Sequence, residues 1–140
     1  MSQFCWEGGA THKDNQEHFM HKLELLACRR IFFMEVKEAA EHIAGVSQRT
    51  WLYYESGRTA IPKTLEEKIQ GLLECRRLMK QRMADEADAH RQKGEGRLVV
   101  PYYASFEDYQ KETGLDDLVG FRLDQSIKAS LYLEDRVVFY

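Results

Sequence analysis

The stretch that decides the fold is EAAEHIAGVSQRTWLYYESGRTAIP, residues 38–62. It divides at Gly45 into two helical segments, because glycine adopts the sharp turn that other residues resist. Ser47 follows that turn and is a typical N-cap residue, which indicates the start of a new helix. The pattern therefore predicts a helix-turn-helix unit, whose second helix covers residues 36–44 and whose third helix covers residues 47–56.

The side chains of this stretch suit the packing of such a unit. Ala40 is small, so the second helix can approach the third closely. Ile43 and Val46 fill the space between the two helices. Trp51 and Tyr54 lie about one turn apart on the third helix and are predicted to face inward, and Gly57 is predicted to end this helix.

Four residues of the third helix are left to face outward. An α-helix fits the major groove of DNA, where Arg49 can bond guanine and Gln48 can bond adenine. Leu52 offers apolar contact to a thymine methyl group, and Tyr53 reaches a phosphate or a base edge. The predicted base-contacting residues are therefore Gln48, Arg49, Leu52 and Tyr53. The predicted phosphate-contacting residues, which fix register without recognising sequence, are Ser47, Thr50, Arg58 and Thr59. The alternative is a plain packing unit in which the outward residues are only solvated.

Periodicity and capping residues predict the other elements. They are a helix over residues 21–33, a long helix from Pro62 to about Gln92, a short edge strand at Leu98–Val100, a short helix from Ser105 to about Thr113, a final helix from Asp124 to about Leu133 and a terminal strand at Val137–Tyr140. The segment Leu118–Arg122 is ambiguous, and a short strand is the expectation there.

Composition limits the class of protein. The chain has 140 residues, of which 44% are hydrophobic, enough for one packed domain or two small ones. The net charge of −3 gives no overall signature of nucleic-acid binding, so that function must rest on a local basic surface. Three cysteines without a CxxC pair indicate a reducing, cytoplasmic setting. No apolar run approaches the roughly 18 residues that span a bilayer, and no cofactor is predicted.

Residues 1–19 differ from the rest, because they carry no helical period, and Met20 is a candidate original start. The prediction is a polar N-terminal extension. Four residues of metal-binding type lie in or near it, namely Cys5, His12, His18 and His21. Their spacing matches no known closed zinc pattern, so no metal site is predicted.

The helix-turn-helix stretch resembles known families. The spacing from Ser47 to Glu55, Gly57 and Pro62 is similar to that of phage-repressor helix-turn-helix domains, although the turn at residues 44–46 is one residue longer than is usual there.

A closer resemblance is to the YdiL-like proteins and the anti-CRISPR-associated (Aca) regulators of phages and mobile elements. The shared features are EAAEHI, the V-S-x-R segment, the aromatic residue at Trp51 and the ESGR box at residues 55–58. The resemblance continues weakly to FRLDQSIKASLYL, residues 121–133, and so covers nearly all of residues 20–140.

This resemblance implies a homodimer that represses transcription from an inverted-repeat operator, usually its own. It implies that Arg49 is the base-contacting arginine, whereas Leu52 departs from the family, in which a polar residue is common. It also implies that Arg29 lies near Glu55, as a clamp between the first helix and the recognition helix. The alternative for that pair is a surface contact worth under about 1 kcal/mol. The residues predicted to support the site are Arg29, Ala40, Gly45, Trp51, Tyr54 and Glu55.

A dimer is also expected on physical grounds, because one short helix makes few base contacts and specific DNA sites use two half-sites. The aromatic residues of the C-terminal part can form the interface or simply build the monomer core. The predicted fold is thus mainly α. It has an N-terminal extension (1–19), a phage-repressor-like DNA-binding domain (20–68), and a long connecting helix with a small α+β dimerisation domain (69–140).

Other functions stay open. One is an antitoxin-type regulator with a protein partner. Another is RNA binding through the basic stretch Arg76–Arg97. A third is a protein-interaction module that binds no DNA. An enzyme is not expected, because the sequence has no glycine-rich phosphate loop, nucleophile elbow or zincin motif.

Overall fold

The structure is a computed structural model that describes residues 19–140. This part of the chain is mainly helical, as predicted, with a small two-stranded sheet near the C-terminus. In chain order the elements are α1 (Lys22–Ile31), α2 (Val36–Ala39) continuing as a π-helical turn (Ala40–Ala44), α3 (Gln48–Ser56), α4 (Lys63–Gln92), β1 (Leu98–Val100), α5 (Phe106–Thr113), α6 (Leu118–Leu133) and β2 (Val137–Phe139).

Cysteine and histidine residues considered as metal ligands fall mostly outside the described residues, since Cys5, His12 and His18 precede residue 19. His21 is described, and it caps α1. Its Nδ1 accepts a hydrogen bond from the N–H of Leu23 at 3.1 Å. Across residues 19–140, none of the helices combines the length and the apolar character needed to cross a membrane.

Local capping signals determine where α3 begins and ends, as predicted. The Ser47 hydroxyl oxygen accepts a hydrogen bond from the N–H of Thr50 at 3.1 Å. Gly57 ends the helix with a φ of 83°, in the left-handed region that favours glycine. These two residues therefore define a helix of nine residues between them.

The expectation of a short strand at Leu118–Arg122 is wrong, because α6 begins at Leu118. Asp117 caps this helix and accepts a hydrogen bond from the N–H of Gly120 at 2.9 Å. A Cβ atom at position 120 would lie 2.2 Å from a carboxylate oxygen of Asp117. Gly120, which argues against a helix in the sequence, is therefore the residue that leaves room for the cap.

The sheet consists of the two predicted strands, which pair in parallel. Leu98 is opposite Val137 and Val100 is opposite Phe139. Parallel strands need a long connection between them, and α5 and α6 provide it. Pro101 follows β1 directly, which agrees with the predicted short strand.

Two clusters of buried side chains form the core. The first lies between the helix-turn-helix unit and the start of α4, and its fully buried side chains include Leu25, Phe32, Trp51 and Ile69. The second lies between the end of α4, the end of α6 and the sheet, and its members are Ala84, Ala87, Val100, Ile127, Leu131 and Val137. Both α4 and α6 contribute to both clusters, since Leu123 of α6 belongs to the first. The helix-turn-helix unit is thus joined to the C-terminal part by two packed helices.

An ion pair adds a polar link at the same junction. Arg122 of α6 donates from Nε to Glu38 Oε1 at 3.0 Å and from Nη2 to Glu38 Oε2 at 2.8 Å. Burial raises the pKa of the Glu38 carboxyl, but hydrogen bonds from Arg122 and the Glu35 backbone outweigh this effect. The pKa of Glu38 therefore lies below its ordinary value of 4.5.

This pKa predicts how acid affects a Glu38→Gln variant. The amide oxygen of glutamine can still accept the N–H of Glu35, but the charge is lost. Because the pKa of Glu38 is lowered on folding, its stabilisation is present above 4.5 and disappears as pH falls through the lowered value. We expect the natural chain to exceed the variant in unfolding free energy by about 1 kcal/mol at neutral pH.

We expect this difference to close in acid, measured by urea unfolding followed by tryptophan fluorescence. Other carboxyls titrate equally in both proteins, so the difference reports on Glu38 alone. A difference that stays constant well below pH 4.5 would contradict the role of the charge.

Candidate nucleic-acid interface

Two aromatic side chains on the inner side of α3 pack it against the core. Trp51 is fully buried and Tyr54 is 7% exposed, and both belong to the first core cluster. Gln48 and Arg49 are exposed on the other side of the helix, and Leu52 is 49% exposed. The structure therefore places Gln48, Arg49 and Leu52 in solvent, where another molecule can reach them.

Small residues let α3 approach the preceding helix. Ala39 and Ala40 are fully buried, Ile43 is 5% exposed, and Val46 packs against the same cluster. Gly45 has a φ of 68°, so the chain turns there in the left-handed region.

The turn itself contains a feature that was not predicted. Residues 40–44 form a π-helical turn, and the N–H groups of Gly45 and Val46 both bond to the carbonyl of Ala40. A π turn closes its hydrogen bond one residue later than an α turn. It therefore accommodates one residue more than an α-helical turn would.

A buried carboxylate links α3 to α1. Arg29 donates from Nε to Glu55 Oε2 at 2.7 Å and from Nη2 to Glu55 Oε1 at 3.2 Å. The two side chains are 13% and 10% exposed, so this is not a surface pair. Arg29 also donates to the carbonyl of Met34 at 3.1 Å. The contact expected between Arg29 and Glu55 is therefore present and is largely shielded from water.

The same carboxylate has a third donor, which the sequence did not suggest. The indole N–H of Trp51 donates to Glu55 Oε2 at 2.6 Å. Trp51 and Glu55 are four residues apart, so they lie on one face of the helix. A buried tryptophan usually needs a partner for its N–H, and this requirement could have suggested Glu55.

Tyr53 and Arg58 form one unit at the end of α3. The guanidinium of Arg58 lies 4.4 Å from the centre of the Tyr53 ring, a cation–π contact. The N–H of Thr59 donates to the carbonyl of Tyr53 at 3.2 Å. Tyr53 is half-buried, whereas Arg58 and Thr59 are exposed. A ligand at this end of the helix would therefore meet Arg58 before the Tyr53 ring.

Two of the predicted phosphate-contacting hydroxyls are bonded to each other. Ser47 Oγ donates to Thr50 Oγ1 at 3.0 Å. That bond uses the hydroxyl hydrogen of Ser47, while the hydroxyl hydrogen of Thr50 remains available to an acceptor. Thr50 is thus the better placed of the two to donate to a phosphate.

The outward face of α3 is locally basic although the chain is acidic overall. The first turn of the helix has no acidic residue, and Glu55 is neutralised by Arg29. Arg49 and Arg58 are exposed, and no ion pair engages either of them within the described part of the chain. The net charge of −3 therefore does not oppose an anionic ligand at this face.

Most basic side chains of the stretch Arg76–Arg97 make polar contacts within the chain, several of them at its surface. Its polar contacts are Arg76 with Ser126, Arg77 with Glu74, Lys80 with Glu134, Arg91 with the carbonyl of Asp135, and Arg97 with Asp135. The hydrogen bond from Lys80 lowers the pKa of Glu134, and burial lowers the pKa of Arg76. Arg82 and Lys93 are the basic side chains of this stretch for which the described residues provide no such contact.

Comparisons with known proteins agree in extent with the described fold. A sequence model of the Aca2/YdiL-like family matches residues 20–139. The Aca2 repressor of Pectobacterium phage ZF40 is 35% identical over 119 residues, which cover 82% of this chain and 95% of that protein. The uncharacterized protein YdiL of Escherichia coli K12 is 24% identical over 117 residues, which cover 83% of this chain and 96% of that protein.

The clamp behind α3 predicts the effect of removing its carboxylate. Glu55→Ala leaves the buried Arg29 guanidinium and the Trp51 N–H without partners, so we expect a loss of about 3 kcal/mol in unfolding free energy. Glu55→Gln retains one acceptor and should lose about half as much. Denaturant unfolding measures both values.

Glu41→Ala is the matched control. Glu41 is exposed and has no side-chain partner among the described residues, so its removal should change stability by less than about 0.5 kcal/mol. A loss below about 1 kcal/mol for Glu55→Ala would mean that the pair acts as an ordinary surface contact.

Proposed function

The chain belongs to the Aca2/YdiL-like family, and we propose that it is a sequence-specific DNA-binding repressor. It binds inverted-repeat operators as a homodimer, and one of these operators is that of its own gene. One observation carries the proposal. Gln48 and Arg49 lie exposed at the start of a helix whose opposite side is buried and clamped, and neither side chain makes a polar contact with residues 19–140.

The chemistry of this helix suits base recognition in the major groove. The planar guanidinium of Arg49 donates two hydrogen bonds to O6 and N7 of guanine, and the amide of Gln48 pairs with adenine. Leu52 has no hydrogen-bonding group and contacts a thymine methyl group. The sequence preference therefore rests mainly on Arg49 and Gln48.

Contacts to phosphate orient the helix. The free N–H groups at the start of α3 favour an anion, and the hydroxyl of Thr50 adds a donor beside them. Arg58 and Thr59 follow the other end of the helix, with Arg58 held over the Tyr53 ring. Phosphate contacts at both ends of α3 fix its register and leave its outward side chains for the bases.

The proposal that the chain represses transcription, and does not activate it, rests on a relative. The phage ZF40 protein is named a repressor, and a dimer seated on a promoter blocks access to it. RNA binding through the Arg76–Arg97 stretch has less support, because five of its seven basic side chains are engaged in the contacts described above.

The C-terminal part offers a surface for the second copy. Four of its aromatic residues pack together inside the monomer. Tyr109 and Phe121 are buried and pack with Phe106 and Tyr103 inside the monomer. A second group of apolar side chains is exposed near the sheet and the end of α6, with exposures of 54% for Val99, 54% for Tyr132, 86% for Leu133 and 78% for Tyr140. We call this second group the exposed C-terminal face, and we assign the dimer contact to it.

Substitution of Arg49 tests DNA recognition. Arg49→Ala should weaken binding to duplex DNA from upstream of the gene by about 1–3 kcal/mol per half-site. The fold should be retained, because the side chain is exposed. A gel shift or fluorescence anisotropy at fixed salt measures the affinity.

Arg82→Ala is the control, since it removes the same charge from an exposed arginine of α4. It should change the affinity by less than about twofold. An Arg49→Ala variant that binds like the natural chain would remove Arg49 from the interface.

Substitution of Leu133 tests the dimer. We expect the natural chain to sediment as a dimer, and Leu133→Asp to sediment as a monomer with weakened operator binding, because a charge would be buried at the contact. Leu115→Asp is the control. It is 51% exposed but precedes the opposite end of α6, about 24 Å away at 1.5 Å per residue. A monomeric natural chain, or a Leu133→Asp variant that remains dimeric, would contradict the assignment.

A further inference from the structure

We propose that the Arg122–Glu38 ion pair sets the half-site spacing that the dimer accepts, an inference that rests on the proposed function. Arg122 and Glu38 are positioning residues in this proposal, because they act through the orientation of the recognition helix and not by touching DNA.

The geometry of the pair is directional. Two parallel hydrogen bonds of 3.0 and 2.8 Å join the guanidinium to both carboxylate oxygens. The side chains of Arg122 and Glu38 are 23% and 19% exposed, so water competes only in part. A bidentate pair of this kind constrains angle as well as distance.

Each partner is fixed to its own part of the molecule. Arg122 Nη1 donates to Gln125 Oε1 at 2.8 Å, and Gln125 Nε2 donates to the carbonyl of Tyr103 at 3.1 Å. Gln125 is only 6% exposed. On the other side, Glu38 Oε1 accepts the N–H of Glu35 at 3.1 Å, at the start of α2. The pair therefore connects the chain after β1 to the helix that precedes the recognition helix.

A small tilt of the helix-turn-helix unit relative to the C-terminal part would move the recognition helix by a distance that matters at the DNA. Along α4, Ile69 lies in the first core cluster and Ala87 lies in the second. These residues are about 27 Å apart at 1.5 Å per residue. A tilt of about 7° over that distance moves one end by about 3 Å, close to the 3.4 Å between successive bases of one strand. Control of this tilt therefore decides whether both recognition helices of a dimer meet their half-sites.

The other contacts at the junction constrain the tilt less. Leu123 packs in the first cluster, but apolar contact is not directional. Lys68 donates to the carbonyl of Ile43 at 3.3 Å, a single bond from a flexible side chain. The paired bonds of Arg122 are the more specific constraint.

The experiment compares spacing preference between variants. The full chain first selects duplexes from a random DNA library. The selected inverted repeat is then lengthened or shortened at its centre by one or two base pairs, since each base pair rotates one half-site by about 34° relative to the other. The variants are Glu38→Gln and Arg122→Lys, and Glu74→Gln is the control because Glu74 pairs with Arg77 within α4.

We expect the natural chain and Glu74→Gln to lose at least about tenfold in affinity when the spacing changes by one base pair. Glu38→Gln and Arg122→Lys should lose less than about threefold in affinity for the same change in spacing. Neither variant can form the paired bonds, although lysine keeps the charge of Arg122. All four proteins should bind a duplex with a single half-site equally.

Three outcomes would overturn the inference. The first is that both variants keep the spacing preference of the natural chain. The second is that they weaken on every DNA equally, which indicates a merely structural role for the pair. The third is that the natural chain has no spacing preference. If the natural chain selects no duplex at all, the proposed function itself fails, and the inference fails with it.

Discussion

The position and orientation of α3 depend on the carboxylate of Glu55. A helix of nine residues is marginal in water without tertiary contacts. Burial of Trp51 and Tyr54 holds it against the core, but apolar contact alone would let it rotate or slide. Glu55 adds direction, because the guanidinium of Arg29 and the indole of Trp51 fix both of its oxygens. Three donors make it possible to bury this carboxylate at low cost.

The same interaction decides the charge of the exposed face. Glu55 is the one carboxylate in α3, and it is turned inward and neutralised by Arg29. The outward side of the helix therefore carries Arg49, and no acidic side chain of residues 19–140 forms an ion pair with it. In this way a chain with a net charge of −3 can present a basic surface of limited size. The Arg29–Glu55 ion pair thus both positions α3 and removes a negative charge from its exposed face.

Most of the secondary structure could be predicted from the sequence, because its signals are local. Ser47 and Gly57 bound the recognition helix through their own backbone preferences. The start of α6 could not be predicted, since Gly120 disfavours a helix until the cap by Asp117 is known. The Arg29–Glu55 contact followed only from family resemblance. The Arg122–Glu38 pair joins positions 84 residues apart, and a single sequence carries no signal for such a pair.

Packed helices, and not a flexible linker, connect α3 to the C-terminal part. Two helices, α4 and α6, run through both core clusters. Between the clusters, Arg76 of α4 donates to the hydroxyl of Ser126 of α6 at 3.0 Å. Burial lowers the pKa of Arg76, but arginine keeps its charge at physiological pH, so this bond persists. Apolar packing joins the two parts at both ends, and the paired bonds of Arg122 to Glu38 add the directional contact that limits the tilt of α3 relative to the exposed C-terminal face. In a dimer built on that face, the separation of the two recognition helices is therefore a property of the folded monomer.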